Sequence, residues 1–215
     1  MKKVILSAFV MLLTIGANVV NAQDFDPEYV KVTNERARKI VDKMDIQSEE
    51  KADLVTDYIA KQYRNLSVIH DARDAKIEAV KETYEGEKEA RKIKKAEKKA
   101  DKKMDRLHKK FIDQLSSELT DEQVEEVKNG MTYHVAPNTF KVYQEMVPDL
   151  TEEQKAKIWS WLAEAREHAM DAGSSHAKHA WFGKYKGKIN NYLSGLGVDL
   201  KKAEKEMFER KAQNN

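Results

Sequence analysis

From His179 to Leu193 the chain concentrates residue types that can recognise a sugar. Sorted by the helical period, Phe182, Tyr185, Ile189 and Tyr192 or Leu193 form an apolar stripe. Trp181, Lys184, Lys188 and Asn191 form the neighbouring stripe, at spacings of 3, 4 and 3. An indole can stack on the apolar face of a sugar ring, ammonium groups can meet a carboxylate, and a carboxamide can donate to and accept from hydroxyls. The same pattern also fits a Trp181 that plugs the helix against the body while its lysines stay solvated. A ligand groove here would hold Trp181, with Lys184, Lys188 and Tyr133 or His134 near it. Gly183 and Gly187 each cost about 1 kcal/mol relative to alanine within a helix. They imply close packing of another element, or room for a ligand.

Other chemistries have thinner signals. His168 with Asp171, and His176 with His179, stand at i, i+3 and could each face one ion, but Lys178 between them disfavours a cation. No metal and no cofactor is expected. Ser174, Ser175 and His179 lack the glycine-flanked turn of a serine nucleophile. Glu164, Glu167 and Asp171 share one helix face, and acid–base work on a glycosidic bond would need them in a cleft. Cysteine is absent, which removes disulfides, thiol nucleophiles and Cys-ligated zinc.

The chain has 39 Lys and Arg against 37 Asp and Glu. Lys2 and Lys3 hold the whole excess, so the rest is neutral overall, unlike a dedicated nucleic-acid binder. Met1 to Lys3 is a basic start, Val4 to Val20 is uncharged and largely apolar, and Val20-Asn-Ala22 reads as a cleavage site. Residues 1–22 are therefore expected to be a secretory signal peptide. The mature chain is expected to be periplasmic or secreted in a bacterium, with no stable membrane insertion after cleavage.

Nearly everything after Gln23 reads as helix. Asp26 and Pro27 open a first helix with Tyr29, Val32, Arg36, Ile40 and Met44 as its apolar stripe. Ser48 opens a second. After a break at Glu85 to Glu87, Ile93, Ala96, Ala100, Met104, Leu107, Phe111 and Leu115 make a heptad seam on a third. The pair should form a projecting antiparallel hairpin, charged at about residues 66–112. From Lys88 to Lys110 it carries 12 Lys or Arg against 4 acids. That is either a basic arm for a partner or a solvated coiled-coil arm.

Leu119-Thr-Asp-Glu-Gln123 and Leu150-Thr-Glu-Glu-Gln154 each open a helix with a capping box. Gly130 is expected to close the first of these in the C′ position. Met131 to Val135 should be extended, with a helix of about two turns from Asn138. Ser175 should cap a helix through Leu193, and a last helix should cover Asp199 to Lys211. The expected fold is all-α: residues 23–215 form one helical bundle with a long projecting hairpin.

Asn129-Gly-Met-Thr-Tyr-His-Val135, Tyr143-Gln-Glu-Met-Val-Pro148, Trp161-Leu-Ala-Glu-Ala-Arg-Glu167, Ala169-Met-Asp171 and His179 to Leu193 resemble one family. It is the exported Bacteroidetes family classed as domain of unknown function 3826, described as sugar-binding. The resemblance covers most of the mature chain and implies an all-helical periplasmic protein encoded near glycan-degrading enzymes. It supplies no catalytic residues. The two Leu-Thr-x-x-Gln copies also resemble the Spy/CpxP periplasmic chaperones. The leading expectation is a non-enzymatic binding protein of glycan utilisation, for an acidic oligosaccharide. The alternatives are a chaperone or scaffold that meets protein partners through the hairpin, and a carbohydrate-active enzyme with a carboxylate or His site.

Overall fold

Side-chain caps set most of the helix starts in the computed structural model, which describes residues 25–213. Asp26 accepts from the amides of Glu28 and Tyr29 at 2.8 and 3.3 Å and opens α1 (Pro27–Val41). Ser48 accepts from the Lys51 amide at 3.3 Å and opens α2 (Glu49–Lys81). A short turn leads to α3 (Gly86–Glu118), entered through Gly86 at φ +59°, a conformation that glycine adopts without strain. Thr120 and Gln123 make one capping box at the head of α4 (Asp121–Met131). Thr151 and Gln154 make the other at the head of α6 (Glu152–Met170). Between those two lies α5 (Val135–Met146), and α7 (Ser175–Gly195) and α8 (Leu200–Gln213) complete the chain. The fold is all-α.

The helices build two cores. Ala37, Ile40 and Val41 of α1, Val55 and Ile59 of α2, Phe111 and Leu115 of α3, and Val127 and Met131 of α4 form the first. Tyr143 of α5, Ile158, Leu162 and Ala165 of α6, and Phe182, Tyr185, Ile189 and Leu193 of α7 form the second. Met170, the last residue of α6, is buried in the first core, so the end of α6 lies where the two meet. α2 and α3 pack along each other, each 33 residues and therefore about 50 Å long. The seam expected on α3 is its inward side, but from Asp71 to Lys103 only Val80 and Ala100 are buried. At the turn, the Lys88 and Lys92 ammonium groups lie 4.6 and 4.9 Å from the Tyr84 ring. Among the described residues, no helix is long and apolar enough to cross a membrane. The expected signal peptide, residues 1–22, lies outside the described residues.

Several local expectations are corrected. The inward stripe of α1 is Thr33, Ala37, Ile40 and Val41; Arg36 is exposed. Small Thr33 and Ala37 face α2, and Arg64 of α2 donates to Thr33 Oγ1 at 2.8 Å and to Asn34 at 3.1 Å. Gly130 is no C′ residue. It lies inside α4, where a Cβ would stand 2.7 Å from Cγ2 of Ile40, so its missing side chain sets the approach of α4 to α1. Met131 to Val135 is not extended: it is a tight turn, and α5 starts at Val135 and runs 12 residues. Pro137 falls in the first turn of α5, where an N–H has no helical partner to lose. Ser174, one residue before the expected cap, accepts from the Ala177 amide and opens α7. A Cβ at Gly183 or Gly187 would meet nothing within 4 Å, so among the described residues no element packs closely at those two positions of α7.

Candidate ligand cleft

The turn from α4 to α5 has an uncommon backbone. Tyr133 and His134 take φ +59° and +53°, the only positive φ values at non-glycine positions among the described residues. Left-handed backbone costs a side-chain-bearing residue about 1–2 kcal/mol. Such conformations persist where the surroundings over-determine them, often at binding sites. Here the His134 amide donates to the Asn129 carbonyl at 2.8 Å. The Asn129 side chain is in turn fixed by Arg166, which donates to it at 2.7 Å and pairs with Glu125 at 2.5 Å. The result is a half-exposed Tyr133 ring, 5.7 Å from the His179 ring, and a His134 Nε2 that lies 3.6 Å from Glu126.

Both residues line a cleft of about 830 Å³ between α1, α2, the α4–α5 turn and the α6–α7 turn. One wall carries Tyr29, Arg36 and Lys39 of α1 and Lys43 of the turn that follows it. Arg36 and Lys39 stand three residues apart on the helix and so share a face. Asp71 and Glu126 are the acids of the lining. Tyr63, Leu66 and His70 come from α2, and Gly173, Ser174, Ser175 and Lys178 from the end of α6 and start of α7. Burial pushes the Tyr63 phenol above its usual range and pushes Lys178 down to about 8. Lys178 Nζ donates to the carbonyls of Ala169 and Met170 at 3.1 and 3.2 Å. His70 Nε2 is 2.7 Å from the Asp171 carbonyl oxygen. A Cβ on Gly173 would lie 2.9 Å from the His70 ring, so only glycine fits above that imidazole.

An ion network under the cleft ties the two cores together. His108 of α3 lies 2.8 Å from Asp171 and 3.3 Å from Glu167, both contributed by the end of α6. The hydrogen bonds to Asp171 and then Glu167 hold its imidazolium up to about 9. Burial alone would raise the Glu167 carboxyl. His108 and the charges of Lys128 and Arg166 outweigh that and hold it down at about 2. Two of the three carboxylates considered for acid–base work, Glu167 and Asp171, are thus engaged by cations.

The structure separates the expected site residues. Tyr133 and His134 line the cleft, whereas the cleft lining does not include Trp181, Lys184, Lys188 or Asn191. Trp181 is half-buried. His168 stacks on one face of its ring at 4.3 Å and 16°, and the Lys184 ammonium sits 4.9 Å from the ring. The imidazole takes one face of the indole, and Trp181 is not among the residues that line the cleft. Lys188 lies over Trp161 at 4.8 Å and Tyr185 at 5.4 Å, and Asn191 is exposed. His179 Nδ1 is 2.9 Å from its own helix at the Ser175 carbonyl. Among the described residues no group of three or more His, Asp or Glu is arranged to hold a metal ion. The cleft residues that sequence reasoning passed over are Arg36, Lys39, Lys43, Tyr63, His70 and Lys178. Arg36, Lys39 and Lys43 recur at spacings of 3 and 4 in the sequence, but Arg36 fits the apolar stripe expected of α1 equally well.

The class defined by these features is an all-helical protein of two joined cores, with a cationic, tyrosine-lined cleft at their junction. The chain belongs to the family described as a protein of unknown function, DUF3826, which matches residues 30–212, from α1 into α8. No curated protein matches the chain.

Proposed function

We propose that this is an exported carbohydrate-binding protein of bacterial glycan utilisation, and that its ligand is an acidic oligosaccharide held in the cleft. The carrying observation is the row Arg36, Lys39 and Lys43 facing a tyrosine held in strained backbone, Tyr133. Three cations on one wall of the cleft suit a ligand with carboxylates repeated along its length. Tyrosine rings offer stacking faces, and the phenols and serine hydroxyls of the lining suit hydroxyl groups. The basic start, apolar run and small-residue exit of residues 1–22 support export to the periplasm or beyond. The chaperone reading gains no support from its motif, because helix capping accounts for both Leu-Thr-x-x-Gln copies.

Calorimetry with uronate oligosaccharides tests the proposal. Lys39→Ala and Lys43→Ala should each weaken binding about 5-fold and flatten its salt dependence, as expected for losing one ionic contact of about 1 kcal/mol. Trp181→Ala should leave the affinity unchanged. Absence of uronate binding, or binding indifferent to both lysines, would overturn the cleft as the site.

A further inference from the structure

The carbonyls of the last two residues of α6 and of its C-cap, Asp171, bond to two side chains of the cleft lining. Lys178 donates to Ala169 and Met170, and His70 bonds to Asp171. Each side chain keeps one position that no hydrogen bond among the described residues fills, and the Lys178 ammonium lies 6.0 Å from the Tyr63 ring. An ammonium has three N–H donors, and the carbonyls occupy two of those of Lys178. A carbonyl can only accept, so a neutral His70 carries its proton on Nε2, and Nδ1 is a bare acceptor. That Nδ1 is buried and has no hydrogen-bond partner. The residues are 8% and 7% exposed, so bulk water is a poor substitute for a partner. Gly173 packs directly on the imidazole, where a Cβ would stand 2.9 Å from Cγ and 3.3 Å from Nδ1, so this glycine backbone is the cover that a ligand must displace.

Resting on the cleft as the ligand site, we propose that its floor is a hydroxyl-reading subsite in which Lys178 donates to, and His70 Nδ1 accepts from, a hydroxyl of the bound sugar. A hydroxyl both accepts and donates, and so completes both groups. A carboxylate or phosphate only accepts, and leaves His70 without a partner. Arg36, Lys39 and Lys43 recognise negative charge on any polymer. The floor adds the discrimination between an acidic sugar and an acidic peptide, because a site built to bond a hydroxyl rejects a ligand without one.

The test compares trigalacturonate with a short polyglutamate of matched charge by calorimetry, on the wild-type protein, His70→Gln and Lys178→Met. Glutamine places an N–H donor near the position of Nε2 and so keeps the bond to the Asp171 carbonyl, but has no acceptor at Nδ1. Wild type should prefer the uronate by about 10-fold or more, the size of one well-made buried hydrogen bond. His70→Gln should lose that preference through weaker uronate binding, with polyglutamate unaffected. Lys178→Met should lose it as well. The Nδ1 nitrogen resonance of His70 should move upfield on adding uronate and stay put with polyglutamate, a change that a structural role would not produce. Equal uronate affinity in wild type and a folded His70→Gln, with an unmoved resonance, overturns the subsite and leaves the cleft standing. Binding of neither probe by wild type overturns both.

Discussion

Replacing His108 by glutamine should remove a pH dependence of folding that the junction between the cores creates. The His108 imidazolium is held up to about 9 by Asp171 and Glu167, against 6.5 for a free histidine. Below 6.5 both folded and unfolded chains carry the proton, and the stabilisation is fully present. As pH rises the unfolded state releases its proton first, so the contribution falls between 6.5 and 9. Taken whole, that interval is worth at most about 3.4 kcal/mol. The His108, Glu167 and Asp171 side chains are 22%, 34% and 20% exposed, so solvent screening brings the expectation to about 2 kcal/mol. Lys178 runs the other way. Its depressed value of about 8 imposes a burial cost below pH 8 that lifts towards 10.5. That opposing drift is common to both proteins, so their difference isolates His108. Urea unfolding at pH 6 and pH 9 measures it. Wild type should lose about 2 kcal/mol more than His108→Gln between the two; parallel profiles would refute the ion network as a source of stability.

Gly130→Ala should destabilise the protein by about 1 kcal/mol, as overpacking against Ile40 exceeds the gain in helix propensity. In an Ile40→Ala background the same change should turn stabilising, and a double-mutant cycle by denaturation reads that coupling. Tyr133→Gly should stabilise the chain by about 1 kcal/mol by relieving its left-handed backbone, while uronate affinity falls. A lower melting temperature in that variant would show that the backbone there is not strained.

Much of the fold is local and could be read without coordinates. Asp26, Ser48, Thr120 and Thr151 cap their helices because each bonds to an amide two or three residues ahead. The α3 seam was legible because its spacing of 3 and 4 holds over six turns. The inward face of α1 is not legible from its sequence, because Thr33 and Ala37, small residues of weak apolar signal, face α2, while the spacing also suits the long, exposed Arg36. No propensity marks Tyr133 and His134 as left-handed, since that conformation belongs by preference to glycine. Gly130, the nearest glycine, drew the helix end to itself; its purpose is instead the contact with Ile40.

Helix starts, helix lengths and the all-α class depend on contacts within about four residues, and the order of residue types along the chain suffices to determine them. The cleft depends on residues from Tyr29 to Lys178 meeting at the junction of two cores. That one face of the Trp181 indole is taken by His168 is likewise decided by a neighbouring helix, α6. Such meetings follow from how helices pack, and helical period alone carries no record of which face will find a partner.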